Sequence, residues 1–223
     1  MPHIKCKKIP VSRFTFIVLI LTLSIACQTK SKRFSLSMES VISPVNIYES
    51  IEDRNLIIKY QNNLKNIYNN VRSRYKPDQL EFYYVSGICF RKLRINKHYK
   101  TCLSLNTKSS KLFIATKKDY KQRLSIIYNH YLKPLLKIAA VERAMLNDVN
   151  IAGIIINTQW EVKKSLKRKY DIILYEQVSL VTLKEHIDKY LKDKITDQEL
   201  LDLSTLIAIN EGETPRIIKL ILE

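Results

Sequence analysis

Residues 80–116 read LEFYYVSGICFRKLRINKHYKTCLSLNTKSSKLFIAT. Within this stretch, residues 80–85, 88–95, 99–105 and 111–116 are rich in β-branched and aromatic side chains. Short breaks separate them at Ser86-Gly87, at Asn96-Lys97-His98 and at Asn106-Thr107-Lys108-Ser109. Strand formers punctuated by turn formers predict an antiparallel meander of three or four strands.

On either side the period changes. Ile57, Tyr60, Leu64, Ile67, Val71 and Tyr75 recur at steps of three and four, which places them on one face of a helix within residues 46–75. Lys76-Pro77 stops it. Residues 117–148 carry a second stripe, Tyr120, Leu124, Ile127, Tyr131, Leu135, Ile138 and Met145, which predicts a helical segment packed across the meander. Pro134 lies inside that stripe, so the helix bends there or a new one begins.

Residues 151–156 and 171–176 are apolar runs of buried-strand length. The basic segment 161–169 between them reads as helical, which gives either a βαβ unit or two strands joined by a basic excursion. Thr182 with Glu185, and Thr196 with Glu199, match the capping box and predict helices over 183–194 and 197–210. Gly212 fits a stop just past the second. Residues 215–223 then form a strand or a short helix. The fold class is therefore α+β: an antiparallel β-meander packed with amphipathic helices, with room for a small second α/β subdomain after a boundary near 149.

The amino terminus carries a different kind of signal. Lys5, Lys7, Lys8 and Arg13 precede the uncharged run 14–26, and Cys27 follows it. That is a positive n-region and an apolar h-region. As a helix, thirteen residues span roughly 20 Å, short of the roughly 30 Å of a bilayer core. The run ends Leu23-Ser24-Ile25-Ala26-Cys27, which resembles the lipobox of bacterial lipoproteins. The resemblance covers residues 1–27 only. It implies a signal peptide over 1–26 and a Cys27 that carries diacylglycerol and an acylated amine such as a palmitoyl amide. It also implies membrane attachment in the cell envelope. Gln28, where Asp is absent, leans toward the outer membrane. A secretory signal cut near Ala26 and a short uncleaved anchor remain the other readings of the run. Residues 28–45 are polar and rich in Ser and Lys, a tether to a globular domain over 46–223.

Loss of residues 1–26 and modification of Cys27 leave Cys89 and Cys102, on strands flanking the Asn96-Lys97 turn. A disulfide between them is feasible in an oxidising compartment if the register sets them opposite or diagonal, and would stabilise by about 3 kcal/mol. The alternative is two reduced, packed thiols.

The chain is basic, with a formal charge of +17, of which +13 remains without the four basic residues of 1–26. A basic surface attracts polyanions, and an envelope address favours anionic lipid or glycan over nucleic acid. The densest cluster is Lys163, Lys164, Lys167, Arg168 and Lys169, beside the one tryptophan, Trp160. We read that cluster as a candidate anion site and Trp160 as a partly buried core residue. Three glycines leave no phosphate loop, and His98, His130 and His186 have no His or Cys at a metal-ligand spacing. Glu161-Val162-Lys163 has the Glu-x-Lys pattern of a nuclease metal site, but its partner carboxylate would have to be Asp148. No catalytic set, metal or cofactor is expected. The sequence reads as a lipid-anchored envelope protein that binds or scaffolds. An envelope hydrolase with dispersed residues and a periplasmic assembly or transport accessory are the rival readings.

Overall fold

The computed structural model describes residues 36–95, 98–166, 170–210 and 214–222. Cys27 and the signal segment lie outside them. The chain enters through α1 (Met38–Val41), capped by the Ser37 hydroxyl, and a 3-10 turn (Val45–Ile47). Two helices follow, α2 (Ile51–Lys59) and α3 (Gln61–Arg74), then β1 (Leu80–Phe82), β2 (Ile88–Ile95) and β3 (His98–Ile114). A helical crossover leads on through α4 (Tyr120–Ile127), a π-helical turn (Tyr128–Leu132), α5 (Lys133–Ala140) and α6 (Arg143–Leu146). The chain ends with β4 (Ile151–Leu166), β5 (Tyr170–Leu183), α7 (Lys184–Leu191), α8 (Asp197–Leu203), β6 (Thr205–Ile209) and β7 (Arg216–Ile218).

Among the described residues the strands make one mixed sheet in the order β1-β3-β4-β5-β6-β7, with β2 on the same side of β3 as β1. β2 pairs with the first half of β3 and β1 with a later stretch, both antiparallel. β3 and β4 are parallel, and every other pairing is antiparallel. The fold is α+β, as the sequence predicts. Alternation builds the core: Leu103 and Leu105 stand beside Ile154 and Ile156, and Ile156 beside Leu180. All are fully buried and join Leu64, Ile67, Leu124, Leu135 and Ile187 from the helices in one hydrophobic cluster. Each such side chain contributes about 1.5–3 kcal/mol by leaving water.

The stripe Ile57 to Tyr75 is buried along its whole length, although Tyr60 divides it between α2 and α3. The Tyr60 hydroxyl donates to Asp148 Oδ2 at 2.7 Å, and Lys59 Nζ does so at 2.8 Å. Those bonds, with one from the Asn150 backbone, hold the Asp148 carboxyl well below the usual carboxylate range. They tie the α2–α3 junction to the turn that enters β4.

Several expectations are corrected. Residues 99–116 hold one long strand, because Asn106-Thr107-Lys108-Ser109 is no turn. The Thr107 hydroxyl lies 3.0 Å from that of Thr158, Ser104 Oγ donates to Asn106 Oδ1 at 3.1 Å, and Asn157 Nδ2 bonds Asn106 Oδ1. Polar side chains that suggest a loop are instead paired along neighbouring strands. Residues 161–166 continue β4 and form no helix, so the two apolar runs belong to an antiparallel hairpin. No boundary falls near 149: β3 and β4 pair across it, and Ser35–Glu223 forms one unit. Residues 36–45, read as part of a tether, pack on the domain instead: Val41 is fully buried and Tyr68 donates to the Leu36 carbonyl. The Thr196–Glu199 capping box forms. The Thr182 box does not, because Thr182 is a strand residue bonded to Ser204. After α8 the β-branched residues of 205–209 make β6.

Candidate functional site

A proline creates the site. Pro134 lacks an N–H, so the carbonyl four residues earlier, that of His130, has no helical donor. The backbone widens there into the π turn, where the Lys133 N–H reaches back to the Tyr128 carbonyl. The His130 carbonyl is taken instead by the Tyr75 hydroxyl at 2.5 Å. Tyr75 caps α3, and its ring lies 5.6 Å from that of Tyr131. One hydrogen bond and one ring pair thus fasten the end of α3 to the wide turn. Burial raises the hydroxyl pKa of both tyrosines. Single π turns recur at functional sites.

Between these elements runs a groove of two adjoining depressions, of about 690 and about 420 Å³, which share Arg74 and Asn129. Arg74, Lys111 and His130 line the first; Lys133 and Lys137 line the second. Among the described residues, no Asp or Glu lines either. Arg74, Lys111, His130 and Lys137 are exposed. The Arg74 guanidinium lies over the Tyr75 ring, 5.7 Å from its centroid, with Nε donating to the hydroxyl at 3.3 Å. Lys137 lies over the Tyr190 ring at 5.1 Å. Of the five, Lys133 pairs with a carboxylate, that of Asp197, at 2.8 Å. Burial pushes the Asp197 carboxyl pKa up, but the bonds from Lys133 and Tyr190 outweigh it and leave the group ionised below the usual range.

A second depression, of about 470 Å³, lies at the opposite end of the parallel strands. Its charges are of both signs, with Glu52 and Glu185 among Lys92, Lys100 and Lys184, and Lys92 stands 3.8 Å from Glu52 and 3.7 Å from Asp53. Such a lining makes little net demand for an ion.

The residues singled out in the sequence fare differently. Cys27, Lys167, Arg168 and Lys169 lie outside the described residues. Lys163 and Lys164 are successive residues of β4, so they point to opposite faces of the sheet, and Lys163 pairs with Asp171 at 2.6 Å. Read as a helix these lysines would cluster; as a strand they cannot. Cys89 stands opposite Ser104 and Cys102 opposite Arg91. Diagonal neighbours stand about 7–8 Å apart, beyond the roughly 4.4–6.8 Å between disulfide-bonded Cα atoms. Both thiols are free and buried, which is the reduced alternative, and burial pushes the Cys102 thiol up to about 11. Glu161 is paired with Lys108 at 2.9 Å. It lies ten strand residues beyond the start of β4, roughly 30 Å from Asp148, so the two cannot share a metal. Among the described residues no group of three His, Cys, Asp or Glu could hold one, and no helix is long and apolar enough to cross a membrane.

Trp160 is fully buried. Its indole N–H donates to Glu176 Oε2 at 2.7 Å, and Arg123 Nε donates to the same oxygen at 2.9 Å. The groove escaped sequence reading because its walls come from residues 74, 111 and 129–137. Pro134, four residues after His130, was the one local sign of it. No known protein family, curated protein or solved structure matches this chain.

Proposed function

We propose that the protein is a lipid-anchored component of the bacterial cell envelope that works as a non-catalytic binding module, with the basic groove as its anion-binding site. The positive n-region, the short apolar run and Cys27 support the anchor. One observation carries the binding role: among the described residues, five basic side chains and no carboxylate line the groove. Arg74 and Lys111 line the same depression. Charge-assisted bonds from such groups are roughly twice as strong as neutral ones.

Retention of the full chain on a sulfated-polysaccharide resin tests the site. The Arg74→Ala/Lys111→Ala variant elutes at clearly lower salt than the wild type, and Lys163→Ala/Lys164→Ala elutes nearly unchanged. Equal elution of the groove variant and the wild type contradicts the assignment. Palmitate labelling of cells tests the anchor: Cys27→Ala abolishes it, and unchanged labelling refutes it.

A further inference from the structure

The groove is longer than a point anion needs. His130, Lys133, Lys137 and Val141 follow at steps of three, four and four, which sets them on one face of the helical run. Eleven residues at 1.5 Å each make that face roughly 16 Å long. Lys111 lines the depression at its His130 end, and Arg74 lines both depressions. The charges are strung out, so no single small anion can meet them all. Of the rings that line the groove, Tyr75 and Tyr131 are 9% and 5% exposed and offer no stacking face, which leaves the single exposed ring of His130. Single-stranded nucleic acid is held by a succession of such stacking faces together with charge. What remains is recognition by charge, with lysines that act as flexible point charges.

We infer that the groove takes a linear acidic polysaccharide, bearing sulfate or carboxylate groups, laid along the helix axis from Arg74 toward Val141. This rests on the anion-binding reading above and adds the ligand's shape and class. Asp197 offsets the charge of Lys133, so Lys137 carries the far end of the array.

Titration of the full chain in detergent with inorganic sulfate, a heparin-derived disaccharide and heparin oligosaccharides of increasing length tests this. Affinity should rise at least tenfold from the disaccharide to a chain spanning roughly 16 Å, then level off. Lys137→Ala should weaken the long chain several-fold and leave the disaccharide unchanged, and Lys137→Arg should restore it. If the disaccharide binds as tightly as the long chain, the linear array is overturned while the anion site stands. If no sulfated chain binds, the anion site falls as well. If anionic phospholipid vesicles bind through these residues and the oligosaccharides do not, the ligand is a membrane surface and the inference is wrong.

Discussion

Arg123 and His130 sit two turns apart on one helical run, and the charges around them meet opposite treatment. Arg123 on α4 points at the sheet and is 4% exposed at its side chain. Its guanidinium grips both oxygens of Glu176, whose carboxylate also accepts the Trp160 indole N–H, and it bonds the Lys118 carbonyl. The charges of Arg123 and Glu176 are answered from within the fold. From the π turn onward, His130, Lys133 and Lys137 line the groove with Arg74 and Lys111, and among the described residues the carboxylate they meet is that of Asp197. The difference separates charge used to hold the fold together from charge left for something else to neutralise.

Removing Glu176 gives the largest effect. Glu176→Ala leaves Arg123 buried and unpaired, which costs about 3–5 kcal/mol. Chemical denaturation should show that loss, and the folded fraction should still bind the polysaccharide. Loss of binding at unchanged stability would erase the distinction between the two regions.

The acid limb of stability sharpens it. The Asp148 carboxyl is depressed in the folded state, so its contribution is complete above the ordinary Asp value of about 3.9 and is lost as pH falls below that toward the folded value. Denaturation midpoints should drop over that window, and Asp148→Asn should be less stable at neutral pH by about 1.5–3 kcal/mol, with a flatter acid limb. An identical pH profile in the variant would show that the Lys59 and Tyr60 bonds contribute nothing.

Tyr75→Phe acts on the seam between the regions. It strips the His130 carbonyl of its donor, at about 1–2 kcal/mol, and frees the wide turn to shift. Denaturation and oligosaccharide titration should both register the change, with affinity falling several-fold. Arg74→Ala and Lys137→Ala should move stability by no more than about 0.5 kcal/mol.

Each region was legible to a different depth. The core stripe from Ile57 to Tyr75 could be read directly, because helical period depends only on neighbours three and four apart. Burial of Trp160 was half readable: its size marks a core residue, but Glu176 meets it only through the register of the β4–β5 hairpin. The polar ladder of Ser104, Asn106 and Thr107 misled, since polar residues on an inner strand look like a turn until partners on β4 are known. The groove needs the β3–β4 crossover and the end of α3 together, and a linear pattern does not encode that meeting. The lysines at 163 and 164 show the converse, a dense run in sequence that the strand pleat splits between two faces.

The most direct measurement is the salt dependence of polysaccharide binding. For the wild type, the logarithm of the binding constant should fall linearly with the logarithm of salt concentration, because each cation–anion contact releases condensed counterions. An Arg74→Ala/Lys111→Ala/Lys137→Ala variant should show a slope shallower by roughly 2–3, taking for each contact removed the 0.7–0.9 of a nucleic-acid phosphate. An unchanged slope in that variant would place the polyanion elsewhere on this basic surface and contradict the account.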